Sequence, residues 1–273
     1  MAEAVVPVDL INPGQVFACM GFLEAAEALL GRAEGGFEWE GGASSRFRIG
    51  AAGAKDPVAA VLEFLAQAEV RERKPDGVFP GPRPRIQTKK DGSSKALMAL
   101  PITLSDGGAG VELGHWADGS GRDTLKLYSG NRSAAAIARS MCGAIARLWQ
   151  ADPGGLSSDP FLPVPVGGTF NFDARRSWTP IDAGYSPDQE GQALLGSPVV
   201  ELLSAWGLEN ARPRVGRGRA VEYGVWRGVL PPALARAALG GIAVAGELRR
   251  FHFTLKVNGK NKVVSFAYEE EGS

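Results

Sequence analysis

Two hydrophobic periods alternate along this chain, and that alternation constrains its fold more than any single motif does. Helical spacing marks 15–30, where Val16, Met20, Leu23 and Leu30 recur before Gly31. It marks a second segment opening at Asp56-Pro57, where Val58, Val61, Leu62 and Leu65 form a stripe. It is clearest over 134–150, with Ile137, Met141, Ile145 and Leu148 on one face and Asn131 or Ser133 as the cap. A further helix over 198–206 ends at Gly207, and a short one covers 232–239. Between them lie strand-like runs: 5–10, a hairpin over 37–49 turning at Gly41-Gly42, then 97–104, 111–116, 123–128 and 220–227. A last hairpin sets 248–257 against 262–268 across Asn258-Gly259, a strong signal for a two-residue turn. Hairpins interleaved with helices predict an α+β fold, antiparallel sheets flanked by helices, with a ferredoxin-like or RRM-like core by analogy.

At 273 residues the chain can bury one sizeable core or two smaller ones. A Pro/Gly-rich connection over 153–168 divides an N-terminal α+β subdomain, 1–152, from a C-terminal one, 169–273; one integrated domain is the alternative. Cys19 and Cys142 sit in apolar settings without a Cys-x-x-Cys or Cys/His cluster, which predicts buried free thiols and no zinc site. No basic stretch leads into an apolar one near the start, where Glu3 and Asp9 lie, and no run approaches the ~18 apolar residues of a membrane span. The expectation is a cytoplasmic protein with no membrane partner.

The residues offer little for catalysis. His115 and His252 are the two histidines, both in strand-like settings, and no Gly-x-Ser-x-Gly elbow accompanies them. No phosphate-binding Gly-x-x-x-x-Gly-Lys-[Ser/Thr] occurs, and no cofactor is expected. Asp173, Asp182 and Asp188 could gather around Mg²⁺ in a metal-dependent nuclease, yet each also suits a turn, a cap or an arginine partner.

Thirty basic and thirty acidic side chains cancel, so any nucleic-acid surface must arise from local segregation of charge. Two loops supply it. One holds Arg83, Arg85, Lys89 and Lys90 in a Pro/Gly-rich stretch over 75–94; the other holds Arg212, Arg214, Arg217 and Arg219. Such loops can order on a phosphate backbone, or can simply be solvated. Trp178 and Trp226, next to arginines, are candidates for base stacking or for the core.

Four phrases, in order along the chain, carry a resemblance. The first is Asn12-Pro13-Gly14-Gln15 leading into Gly21-Phe22-Leu23-Glu24. The second is Leu125-Lys126-Leu127-Tyr128-Ser129-Gly130-Asn131-Arg132, with Tyr128 where a Trp is expected. The third is Phe170-Asn171-Phe172-Asp173-Ala174-Arg175-Arg176 followed by Asp182-Ala183-Gly184-Tyr185-Ser186. The fourth is Pro198 to Leu203, then Gly207-Leu208 and Arg212-Pro213, with Glu209 where a Gln is expected. Together they resemble the Csb/Csx-type accessory subunits of subtype I-G (formerly I-U) CRISPR–Cas systems. The resemblance implies a non-enzymatic subunit of a Cascade-like, RNA-guided surveillance complex. Its partners would be crRNA, target DNA or both, together with the other effector subunits. It also implies phosphate contacts at Lys126, Arg132, Arg175, Arg176 and Arg212; Lys126 and Arg132 flank a turn at a helix start, and Arg175 is equally a partner for Asp173. A protein-only assembly adaptor is a further alternative.

Overall fold

The computed structural model describes residues 1–40, 45–73, 100–117, 123–129, 132–177, 194–244, 246–258 and 260–270. Its architecture is α+β, with antiparallel sheets and packed helices. Strand β1 (Ala2–Val8) leads into helix α1 (Pro13–Leu30), which is followed by the hairpin of β2 (Ala33–Trp39) and β3 (Ser45–Ala51). β3 lies between the other two strands and is antiparallel to both. β1 and β2 are therefore parallel, with α1 as their crossover. Helix α2 (Pro57–Gln67) packs back on β1 and β3. This β-α-β-β-α succession follows the first five elements of a ferredoxin-like unit. The sixth departs from it: β4 (Glu69–Glu72) pairs with β5 (Ile102–Ser105), and β5 with β6 (Gly110–Leu113), in a separate sheet.

Helices α3 (Ala134–Ala151) and α4 (Pro153–Ser158) come next, then the two-residue strands β7 (Val164–Pro165) and β8 (Leu195–Gly196), and helix α5 (Pro198–Asn210). The C-terminal part comprises β9 (Arg214–Val215), β10 (Ala220–Trp226), α6 (Pro232–Leu239), β11 (Leu248–Thr254), the hairpin β12 (Lys256–Asn258) with β13 (Asn261–Val263), and β14 (Tyr268–Glu269). Its main sheet has the order β14-β11-β10-β9. The two larger sheets are joined at the far edge of β2: Gly35 and Leu230 exchange backbone hydrogen bonds of 2.9 Å, and the Trp226 indole donates to the Gly35 carbonyl.

Local chemistry explains the helix starts. Asp56 accepts from the Ala59 amide at 2.9 Å, Ser133 from Ala136 at 3.1 Å, and Ser197 from Val200 at 3.2 Å. Of the two caps considered for α3, Ser133 is used; Asn131 lies outside the described residues. Asp152 caps α4 inside the stretch that reads as a Pro/Gly connection.

The centre of the molecule is α1, buried on every side from Pro13 to Ala26 rather than along one stripe. Its main partner is α5, and the two approach through glycine. A Cβ at Gly21 would lie 2.0 Å from the Leu203 carbonyl oxygen, and one at Gly207 would lie 2.4 Å from that of Phe17. Gly207 therefore does not stop the helix, as its local signal suggests; α5 runs on to Asn210 because that glycine serves the contact. Residues from both sides of the 153–168 connection bury one another in one contiguous cluster.

Several strand expectations change. Over 123–128 the chain turns instead of forming a strand, the Lys126 amide donating to the Asp123 carbonyl at 3.2 Å. The final ribbon divides: β11 pairs along its length with β10, and meets β14 only at Phe251↔Glu269 and His252↔Tyr268. Only β12 and β13 form the hairpin across residue 259. Cys19 and Cys142 are both buried and free. Among the described residues no helix is long and apolar enough to cross a membrane.

Candidate nucleic-acid interface

Three of the four phrases meet in a buried polar knot at the N-terminal ends of α1 and α5. The Asp173 carboxylate, fully buried, accepts from the Asn12 side chain at 3.1 Å and from the Ser197 amide at 2.8 Å. Arg175 forks onto it with bonds of 2.9 and 2.7 Å and also donates to the Phe161 carbonyl. Glu201, in the first turn of α5, accepts from the amides of Phe172 and Asp173, while the Asn12 side-chain oxygen takes the Ala174 amide. Burial opposes ionisation of Asp173, but Arg175, Ser197 and Asn12 together hold its carboxyl below the ordinary value. Among the described residues Glu201 has amide donors but no direct cationic partner, and burial raises it to about 7.

The expected phosphate ligands Arg175 and Arg176 thus spend donors inside the fold. Arg176 donates to the carbonyls of Val166 and Leu194 at 2.8 and 2.6 Å. A Cβ at Gly196 would meet the Arg176 Cδ at 2.6 Å, so the arginine is closely seated. Asp173 is committed to the knot, and Asp182 and Asp188 lie outside the described residues. Among the described residues no group of three or more His, Cys, Asp and Glu is placed to hold a metal ion.

A second buried station surrounds His115, which lies in a turn beyond β6 rather than in a strand. Its ring is enclosed between Trp116 and Phe172, and among the described residues neither nitrogen makes a well-formed hydrogen bond. Burial first, and then the Arg212 charge, lower its pKa to about 3. Arg212 pairs with Asp123 at 3.1 Å and donates to the His115 carbonyl at 3.3 Å.

Positive charge also gathers where three distant segments converge. The β12–β13 hairpin docks on the turn over 123–129: the Lys262 amide donates to the Leu127 carbonyl, and the Asn261 side chain accepts from Ser129. The Lys262 ammonium donates to the carbonyls of Asp123 and Thr124. The Lys126 ammonium donates to the Tyr128 carbonyl at 3.0 Å and lies 4.2 Å from the centre of the Tyr128 ring. Both lysines have lowered pKa values, from burial first. Lys262 adds repulsion at Lys126; at Lys262 the Asp123 charge works against the burial and Arg219 with it. Arg219 stands in the β9–β10 turn, where it and Gly218 both take left-handed backbone, φ 72° and 65°. That conformation costs about 1 kcal/mol or more for a non-glycine residue.

Of the remaining expected ligands, Arg217 is exposed in the same turn, Arg214 pairs with Glu222 at 3.4 Å, and Arg132 is exposed beside Gly168. Arg83, Arg85, Lys89 and Lys90, like Trp178, lie outside the described residues, and Trp226 is core. Sequence reading passed over Lys262 because its local context is an ordinary hairpin. Compared with known protein families, curated proteins and solved structures, the chain matches none.

Proposed function

We propose that this chain is a non-catalytic subunit of a type I CRISPR RNA-guided surveillance complex, and that it holds a nucleic-acid backbone at Lys126, Lys262 and Arg219. One observation carries the reading: two lysine ammoniums, each partly withdrawn from water, are held by carbonyls of the same 123–129 turn, where the Lys262 charge repels that of Lys126. A phosphate between them would relieve that repulsion and accept the ammonium protons not engaged by carbonyls. Arg219, in the strained turn, adds a guanidinium whose charge bears on Lys262. The four family-like phrases supply the CRISPR context, and the cluster supplies the contact.

The test is co-expression with the other effector subunits and a crRNA, followed by binding measured across a salt series. Each phosphate contact on a single strand steepens the salt dependence by about 0.7 in log–log slope. The Lys126→Ala/Lys262→Ala pair should therefore flatten it by about 1.4 while leaving the protein folded. A slope unchanged in that variant would sink the assignment of the contact. Normal assembly and normal crRNA content would instead favour the protein-only adaptor. For that alternative the outer edge of β1 offers a surface, since no described strand pairs there.

A further inference from the structure

The four-stranded sheet β14-β11-β10-β9 has one face in the core and one partly open. Tyr223, Phe251 and Phe253 point inward and are buried. On the other face the register lines up one row across all four strands: Arg214, Glu222, His252 and Tyr268. At ~4.8 Å between strands the row spans about 14 Å. Helix α6 covers only one end of this face, where a Cβ at Gly224 would meet the Ala238 carbonyl oxygen at 2.1 Å. The row itself stays open: Tyr268 is 71% exposed, and His252 is exposed beside it with ring centres 5.9 Å apart and planes at 34°. Between the row and α6 lies a cavity of about 460 Å³ walled by Arg214, Glu222, Arg250 and Glu270.

We infer that this face takes one unpaired nucleotide of single-stranded RNA, its base stacked on Tyr268 and His252 and its ribose over the cavity. The inference rests on the nucleic-acid reading above and gives it a ligand class. Two neighbouring exposed rings on one sheet face provide a stacking surface that any base can use, and stacking needs the base to be out of a duplex. Glu222 and Glu270, their charge balanced by Arg214 and Arg250 in the same wall, offer carboxylate oxygens that accept hydroxyl protons, which favours a ribose with its 2′-OH over a deoxyribose. The phosphate belongs at the basic turn. Arg219 stands in the turn just before β10, three residues ahead of Glu222 and so at most about 11 Å from it, a distance one or two nucleotides can bridge.

The test uses the full-length chain with a short labelled single-stranded RNA, the same sequence as DNA, and the blunt RNA duplex, read by fluorescence anisotropy over a salt series. Tyr268→Ala should weaken single-stranded RNA binding about 5- to 150-fold without changing the salt slope, and Tyr268→Phe should bind as wild type. Lys126→Ala/Lys262→Ala should flatten the slope instead. Equal binding by wild type, Tyr268→Ala and His252→Ala, or equal binding of duplex and single strand, overturns the stacking platform while leaving the phosphate cluster standing. DNA bound as tightly as RNA overturns the ribose assignment. If wild type binds none of the three, the platform and the nucleic-acid reading fall together.

Discussion

Glu201 and His115 are both wholly buried, and their titrations drive stability in opposite directions. Glu201 is raised from 4.5 to about 7, chiefly by burial; the amides of Asp173 and Phe172 and the Arg176 charge oppose this, and the Asp173 carboxylate adds to it. The folded state thus keeps a proton that the unfolded chain releases. Its contribution is complete below pH 4.5 and is lost as pH rises through about 7, at about 1.4 kcal/mol per unit. His115 is lowered from 6.5 to about 3, by burial and then by Arg212, so the unfolded chain takes up a proton that the folded state refuses. Its contribution is complete above pH 6.5 and is lost as pH falls towards 3, again at about 1.4 kcal/mol per unit. Between pH 4.5 and 6.5 the two slopes cancel. Asp173 is held below its ordinary 3.8 and stays ionised in that window.

Wild type should therefore show a flat contribution from this pair over two pH units, and each single variant should expose the other partner. Urea unfolding at several pH values measures this directly. Glu201→Gln should gain about 3 kcal/mol of stability from pH 4.5 to 6.5, and His115→Leu should lose about the same. The double variant should return to the flat profile. Because the quantity read is the pH slope, any fixed cost of repacking drops out. Single variants that both stay parallel to wild type would refute the reasoning, since the proton counts would then not depend on either residue.

Two further outcomes follow from packing and pairing. Helix propensity alone makes Gly21→Ala stabilising by about 1 kcal/mol, but the contact with the Leu203 carbonyl forces α1 and α5 apart. The net should be a loss of about 1–3 kcal/mol, read as a lower thermal midpoint, and a raised midpoint would remove the close-packing account. Arg175→Ala strips the guanidinium from a fully buried carboxylate and should cost roughly 3 kcal/mol in urea, the low end for a buried pair because Arg175 itself is about one quarter exposed. Its folded fraction should keep the wild-type salt slope for RNA; a flatter slope would return Arg175 to the list of phosphate ligands.

The helices were legible wherever a cap and a period coincided locally, as at Asp56 before α2 and Ser133 before α3. Gly207 was misread because its signal is identical for a helix end and for a close helix contact; only the position of Phe17 on α1 distinguishes them. The segment over 123–128 alternates like a strand, yet the hairpin beside it uses side chains and one amide to hold it, which no local pattern encodes. The basic cluster was half visible. Lys126 and the arginine loop stood out by local density, whereas Lys262 joins them only through docking of a hairpin more than a hundred residues downstream.

The residues that carry the resemblance and the residues proposed to bind overlap only at Lys126. Asn12, Asp173, Ser197 and Glu201, the heart of three of the phrases or next to them, are buried and satisfy one another. Their chemistry is that of a fold clamp: a carboxylate and an amide close two helix starts that would otherwise leave buried donors unpaired. Lys262, Arg219, His252 and Tyr268 lie outside the phrases, on turns and open sheet. A resemblance carried by the first set speaks to the scaffold, and the ligand must be argued from the second. The two parts of the proposal therefore come apart in the laboratory. Substitutions in the knot should lower stability and leave the salt slope of the folded fraction intact. Substitutions at Lys126, Lys262 and Tyr268 should alter nucleic-acid binding by the folded fraction, the salt slope at the lysines and the affinity at Tyr268.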